Sequence, residues 1–226
     1  MEGSIYSKYT DIDAVMRAAK DRLSEIELAY RNSLNSQKIP DVLLVDIKAY
    51  LGDLKSALDY LNGRVANSDK YFPICKHLND FTKRYGAVDS ATKLVFDKFQ
   101  PYNGNDTIKW FNVLNNKNKH VTLVPQTRRE TVETCVAHPS GGGVSWTSGV
   151  VFGSGVSVMG VPIDPSTQLP VPNNIVKTER ITWVDFVFDS KAAPTELPEN
   201  LSALPFLKKA FKMVATILFE VEKTLS

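Results

Sequence analysis

The sequence has few cysteines, no strong excess of charge and no long hydrophobic run. Its two cysteines, Cys75 and Cys135, lie in segments of different predicted structure. We therefore expect free thiols, and neither a disulfide framework nor a zinc site. The net charge of +2 gives no overall signal for nucleic acid or membrane, so a surface for such a partner has to come from local clustering.

Export and membrane signals are also missing from the pattern. Met1–Lys8 has neither the basic start nor the apolar stretch of a secretory signal. Met213–Phe219, the most apolar run near the C-terminus, is far shorter than the roughly 20 residues that span a bilayer. We expect a cytoplasmic protein that does not bind a membrane and uses no cofactor.

The first half of the chain shows helical periodicity. Along two segments, apolar residues recur at intervals of four and three, as in amphipathic helices. We expect the first helix to begin near Thr10 and the second at Ile39-Pro40-Asp41, with Pro40 in its first turn and Gly63 as its stop. The two should pack as an antiparallel hairpin. Their apolar positions are Ile12, Met16, Ala19, Leu23, Ile26 and Tyr30, followed by Ile47, Leu51, Leu54, Leu58 and Leu61.

Shorter helices are predicted to complete a bundle. The loop through Phe72-Pro73-Ile74 should pack its apolar side chains against the hairpin, because the proline holds Phe72 extended. Helices are expected at Lys76–Tyr85 and Ser90–Phe99. A further helix should be capped by Asn105-Asp106-Thr107. Its inward face would consist of Ile108, Phe111 and Leu114.

After His120 the periodicity becomes that of strands. Val121–Val124 and Thr131–Val136 are rich in β-branched residues, and Arg180–Phe188 alternates. The glycines of Phe152–Val156 predict a hairpin turn between two strands. The proline-rich segment 164–174 is predicted to be a loop.

The chain closes with a predicted loop at Pro194–Pro198 and a helix from Phe206 to Leu225. The apolar face of this helix has to be buried against the bundle or one face of the sheet. We therefore predict an α+β fold: a helical bundle over residues 1–120, an antiparallel β-sheet over 121–190, and a loop with a closing helix over 191–226.

The candidate functional residues cluster where the helical pattern ends. His120 can act as a general acid or base near neutral pH, Lys119 can stabilise negative charge, and Asn116 can hydrogen-bond. These three form the predicted catalytic set. The region is locally basic, as RNA or another phosphate-bearing partner would favour. The predicted binding residues are Lys109, Lys117, Arg128, Arg129, Gln100 and Tyr102.

Three other patterns do not predict a metal, nucleotide or hydrolase site. His77 and His138 have no paired metal-ligand spacing with His120, so no metal site is expected. Gly153-Ser154-Gly155 lacks the third glycine and the following helix of a nucleotide-binding loop. Ser145 does not stand in a Gly-x-Ser-x-Gly elbow, because Thr147 occupies the position of the second glycine.

Four short motifs occur in order along about residues 45–123: Leu54–Leu61, Phe72–Ile74, Phe99–Tyr102 and Leu114–His120. This pattern resembles a widespread set of uncharacterised bacterial proteins that is related to the HEPN superfamily of helical bundles. That superfamily includes ribonucleases and nucleotide-transfer partners in toxin–antitoxin and defence systems. The resemblance implies a HEPN-like bundle at the N-terminal end of the chain.

The resemblance also assigns residues. His120 matches the His of a Lys-His motif, and Asp59 matches the Asp of an Asp-His pair in which Tyr60 replaces the His. It implies an RNA-associated or defence-type module, a weak ribonuclease activity and a homodimer. Active HEPN ribonucleases carry an Arg followed, after four to six residues, by a His. The residues at those positions here are Val113, Leu114 and Asn115.

The alternative is a non-catalytic interaction or ligand-binding protein. In that case Gln100, Tyr102 and His120 only brace the fold, and the neighbouring lysines are solvated. The missing Arg favours this alternative.

Overall fold

The computed structural model describes residues 6–36, 39–66, 71–120, 123–190 and 197–225. These ranges contain six α-helices and six β-strands, so the predicted α+β class is confirmed. The chain divides into two units, Met1–Thr127 with Phe186–Ser226, and Arg128–Asp185. The first unit contains the six helices, and the second contains most of the strand residues.

Two long helices, α1 (Thr10–Ser36) and α2 (Asp41–Ala66), form the hairpin that the periodicity predicts. Every residue of the two predicted apolar stripes is buried. Arg64 at the end of α2 pairs with Asp11 at the start of α1 at 3.0 Å. Arg22, further along α1, pairs with Asp53 at 3.2 Å. Because the pairs run in opposite order along the two helices, the helices are antiparallel.

The predicted stop of α2 at Gly63 is wrong, because the helix continues to Ala66. Besides its pair with Asp11, the Arg64 guanidinium lies 5.3 Å from the ring centroid of Tyr9. These contacts hold the last turn of α2 against the start of α1. They offset the roughly 1 kcal/mol by which a glycine disfavours a helix.

Three shorter helices follow: α3 (Leu78–Arg84), α4 (Ser90–Lys98) and, after a single 3-10 turn, α5 (Asp106–His120). The Asp89 carboxylate caps α4 by accepting the N–H groups of Ala91 and Thr92 at 3.0 and 2.9 Å. The Asn105 side chain caps α5 by accepting from the N–H of Ile108 at 3.2 Å. The predicted inner face of α5 is fully buried and comprises Ile108, Phe111 and Leu114.

The closing helix, α6 (Ala203–Thr224), packs against α1, α2, α4 and α5. Of the two sites predicted for its apolar face, it uses the bundle. The Tyr50 hydroxyl of α2 donates to the carbonyl of Leu207 at 2.8 Å, so α6 is also fixed by a buried hydrogen bond. Within the described part of the chain, no helix is long and apolar enough to cross a membrane.

The strands form two three-stranded sheets. In the first, the order is β2-β1-β6, with β1 and β2 antiparallel. In the second, the order is β3-β4-β5, with antiparallel neighbours. A small apolar cluster of Val136, Trp146 and Ile163 lies in the second unit. The strands are β1 (Gln126–Ala137), β2 (Gly143–Thr147), β3 (Ser157–Val158), β4 (Val161–Asp164), β5 (Leu169–Pro170) and β6 (Lys177–Phe188).

The strand predicted over 121–124 is wrong for the two residues that are described. Leu123 and Val124 belong to no strand, and residues 121–122 lie outside the described ranges. The Asn118 side chain of α5 accepts from the N–H of Val124 at 2.8 Å. Pro125 has no N–H to give to a strand ladder. The end of α5 thus uses a backbone group that a strand would need, and β1 begins only at Gln126.

The hairpin predicted at Phe152–Val156 forms at a different place. The register pairs Ser157 with Pro162 and Val158 with Val161, which leaves Met159-Gly160 as a two-residue loop. Both loop residues have positive φ, 51° and 77°, as a type I′ hairpin turn requires. Because the first loop residue is Met159 and not a glycine, the residue types do not indicate this turn.

Two further predicted segments differ or fall outside the description. Part of the predicted loop 164–174 is strand, because β5 pairs with β4. Of the predicted loop at Pro194–Pro198, residues 194–196 lie outside the described ranges. The two cysteines are free thiols as expected.

Leu218 and Phe219 provide a direct test of how α6 is packed. Leu218 is fully buried and Phe219 is 68% exposed. We expect Leu218→Ala to lower the free energy of unfolding by about 2–5 kcal/mol, since it leaves a cavity in the bundle. Phe219→Ala should change it by less than about 0.5 kcal/mol. Urea unfolding followed by helical circular dichroism measures both, and equal losses would contradict this packing.

Candidate functional site

A cavity of about 320 Å³ lies in the first unit where α2, α3, α5 and the segment Tyr71–Ile74 meet. We call it the basic cavity, because the described part of its wall carries three cationic side chains and an imidazole against a single carboxylate. These five residues are Lys55, Arg84, Lys119, His120 and Asp59. Asparagines of α5 and the Tyr71–Ile74 segment complete the wall.

All three residues of the predicted catalytic set line this cavity. Asn116, Lys119 and His120 stand on the last turns of α5, and all three are exposed. Asn116 donates to the side chain of Asn112, another wall residue, at 3.3 Å. The helical spacing of α5 thus brings the three side chains to one opening.

A charged pair on α2 fixes the opposite wall. Lys55 and Asp59 are one helical turn apart and form an ion pair. The same Asp59 oxygen accepts from the N–H of Phe72 at 2.7 Å, and the Lys55 ammonium donates to the carbonyl of Phe72 at 3.2 Å. Both backbone groups of Phe72 are therefore satisfied by α2.

Lys55 is only 8% exposed, which is unusual for a lysine. Burial lowers its pKa below the ordinary lysine value, while the carboxylate of Asp59 acts in the opposite direction. The positive charge of Lys119 contributes to the lowered pKa. The two lysines, which come from different helices, therefore repel one another electrostatically across the cavity.

Two of the predicted binding residues have internal partners instead. Gln100 is fully buried; its oxygen accepts from the N–H of Cys75 at 2.8 Å and its nitrogen donates to the carbonyl of Phe96 at 3.2 Å. The Tyr102 hydroxyl donates to Asp97. Burial and that carboxylate raise the pKa of Tyr102. Neither residue lines the basic cavity, as far as the structure describes it.

The remaining predicted binding residues are spread over the chain. Lys109 and Lys117 stand on α5 but are not among the described residues that line the basic cavity. Arg128 and Arg129 lie on β1 in the second unit, where Arg128 forms an ion pair with Glu130. Lys109 and Lys117 thus belong to the first unit, and Arg128 and Arg129 belong to the second.

Sequence reasoning missed Lys55 and Arg84. Lys55 does carry a signal: it stands four residues after Leu51 in the apolar register of α2 and four before an acid. A lysine at a buried helix position next to an i+4 carboxylate indicates a buried pair. Arg84 carries no such signal, because only the packing of the short α3 brings it to the cavity.

A second cationic cavity lies between the start of α5 and α6. It has a volume of about 520 Å³ and includes Lys98, Lys209 and Lys212 together with Trp110. Lys98 is paired with Glu220 at 3.1 Å. We call it the lysine cavity, and it provides a control for any effect of charge alone.

Comparison with protein-family models, curated proteins and solved structures finds no match to this chain. Among the described residues, no group of three or more His, Cys, Asp or Glu side chains could hold a metal ion.

Substitutions of His120 and Asn118 test which side chain at the end of α5 has a structural role. His120 is exposed, so we expect His120→Ala to change the free energy of unfolding by less than about 0.5 kcal/mol. Asn118 is 6% exposed and accepts from the buried Val124 N–H. Its replacement by Ala should cost about 1–3 kcal/mol, because that N–H loses its partner.

Thermal and urea unfolding of the two variants test this expectation. A His120→Ala variant that is as destabilised as Asn118→Ala would show that the imidazole braces the fold. It would then support the structural alternative for His120.

Proposed function

We propose that the basic cavity binds phosphate groups of RNA, and that the chain is a HEPN-like, RNA-associated module of the bacterial defence type. The observation that supports this most is the convergence of Lys55, Arg84 and Lys119 with His120 on one cavity. Lysine and arginine side chains contribute most of the affinity of proteins for nucleic-acid backbones.

The basic cavity has more positive than negative side chains, and this excess of positive charge favours an anionic ligand. Asp59 is the only carboxylate on the wall described here, and it is already bonded to Lys55 and to the Phe72 backbone. The exposed Lys119 takes part in none of the ion pairs found among the described residues. An entering phosphate would meet a preformed positive site, with little cost for rearrangement.

Arg84 favours a weak ribonuclease activity in addition to binding. No arginine stands at positions 113–115 of α5, but Arg84 of α3 lines the same cavity as His120. In such a reaction the ribose 2′-oxygen would form a bond to phosphorus while the bond to the 5′-oxygen of the next nucleotide breaks. His120 would take the proton of the 2′-hydroxyl or give one to the leaving 5′-oxygen, with water in the other role, and the cations would stabilise the negative charge on the phosphate oxygens. Binding without cleavage is the alternative, in which His120 contributes only to ligand contact.

Lys119→Ala tests the proposed RNA site. We expect it to weaken binding of single-stranded RNA about tenfold at low salt, equivalent to ~1.4 kcal/mol. The slope of log affinity against log salt should fall by about 1, because one phosphate contact is lost. Fluorescence anisotropy measures both quantities, and a gel of the same RNA measures cleavage by wild type and His120→Ala.

The control is Lys209→Ala, which removes an exposed lysine from the lysine cavity. It should leave RNA affinity unchanged. If Lys209→Ala weakens binding and Lys119→Ala does not, or if wild type binds no RNA, the proposal fails. RNA that is bound but left intact by wild type would select the non-catalytic alternative.

A further inference from the structure

A second cavity adjoins the basic cavity. It has a volume of about 530 Å³ and shares Tyr71, Pro73 and Arg84 with the basic cavity. We call it the tyrosine cavity, because Tyr71 and Tyr85 both belong to its wall. The shared residues place the two cavities side by side along the segment that Lys55 and Asp59 hold.

The chemistry of the tyrosine cavity differs from that of its neighbour. Its wall combines apolar groups of Pro73, Ala87 and Val88 with the amide of Asn62, the two tyrosines and the cationic side chains of Lys83 and Arg84. Its described wall contains no carboxylate. The two tyrosines and the apolar groups of this wall fit a flat ring with hydrogen-bonding edges. Its two cations continue the positive wall of the basic cavity, where a phosphate fits.

Tyr71 is placed to contact both parts of a ligand. Its side chain is 73% exposed, and its ring centroid lies 5.6 Å from the Lys55 ammonium. An exposed aromatic ring is a stacking platform for a base. This ring also lines the basic cavity, where Lys119 and Arg84 would contact the phosphate.

The Tyr85 hydroxyl provides an independent indication of a ligand. Tyr85 is 1% exposed, and its ring packs on Phe81 and Phe96 with centroid distances of 4.7 and 5.1 Å. Among the described residues, its hydroxyl has no hydrogen-bond partner. Buried hydroxyls are nearly always bonded. A polar ligand edge that enters the tyrosine cavity would give this hydroxyl a partner.

We infer that the two cavities together bind one nucleotide, with the phosphate in the basic cavity and the base in the tyrosine cavity. The inference rests on the proposed function and specifies it further. Arg84 stands on both walls and would contact the ligand where phosphate and base meet. Tyr71 stacks on the base, and the Tyr85 hydroxyl bonds to its edge.

Isothermal titration calorimetry on the full chain, which measures the affinity for each ligand, tests this inference. The probes are the four ribonucleoside 5′-monophosphates, with ribose 5-phosphate as the matched ligand that lacks a base. We expect at least one nucleotide to bind about tenfold more tightly than ribose 5-phosphate, since base stacking on an aromatic side chain contributes an effect of this order. Tyr71→Ala should abolish this preference.

Two variants sharpen the result. Phe219→Ala removes an aromatic ring of similar exposure that lines neither cavity, and it should leave the preference intact. Tyr85→Phe keeps the packed ring and loses only the hydroxyl, so the melting temperature should not fall. It should, however, reduce the differences in affinity among the four nucleotides.

The outcomes separate this inference from the proposed function. Equal affinity of wild type for nucleotides and ribose 5-phosphate would overturn the base site and leave the phosphate site standing. No binding of any of these phosphates would overturn both. A nucleotide preference that survives in both Tyr71→Ala and Tyr85→Phe would also overturn the assignment of the base to the tyrosine cavity.

Discussion

The ion pair between the buried Lys55 and the half-buried Asp59 is the interaction on which the candidate site depends. It satisfies the N–H and the carbonyl of Phe72, in a segment that belongs to no helix or strand. A buried backbone group without a partner costs about 1–3 kcal/mol. In the same way, the side-chain oxygen of Gln100 accepts a hydrogen bond from the backbone N–H of Cys75. Side chains of the bundle therefore replace secondary structure in holding one wall of the basic cavity.

This arrangement connects the stability of the fold to the chemistry of the site. Lys55 needs Asp59 because an unpaired charge would be too costly at this depth. Since Asp59 is also bonded to Phe72, the positive charges of Lys119 and Arg84 remain to attract an anion. The same segment carries Tyr71 to the boundary between the basic and tyrosine cavities. One structural device thus positions the groups that we assign to phosphate and to base.

Much of the fold could be predicted from the sequence, because the helical stripes are local patterns. Ile12 to Tyr30 and Ile47 to Leu61 follow helical spacing and are buried as expected. The turn at Met159-Gly160 was missed because its backbone geometry is not evident from residue types. Of the site, the sequence identified the last turns of α5. Arg84 could not be found, because its position depends on how α3 packs within the bundle.

The most direct test of a phosphate site in the basic cavity is a titration of the 25.2 kDa protein with a short single-stranded RNA, followed by amide chemical shifts in NMR. Our account predicts that the largest shifts occur around Lys55, Tyr71–Ile74, Arg84 and residues 116–120. Shifts centred instead on Lys98, Lys209 and Lys212 of the lysine cavity, or no shifts at all, would contradict it.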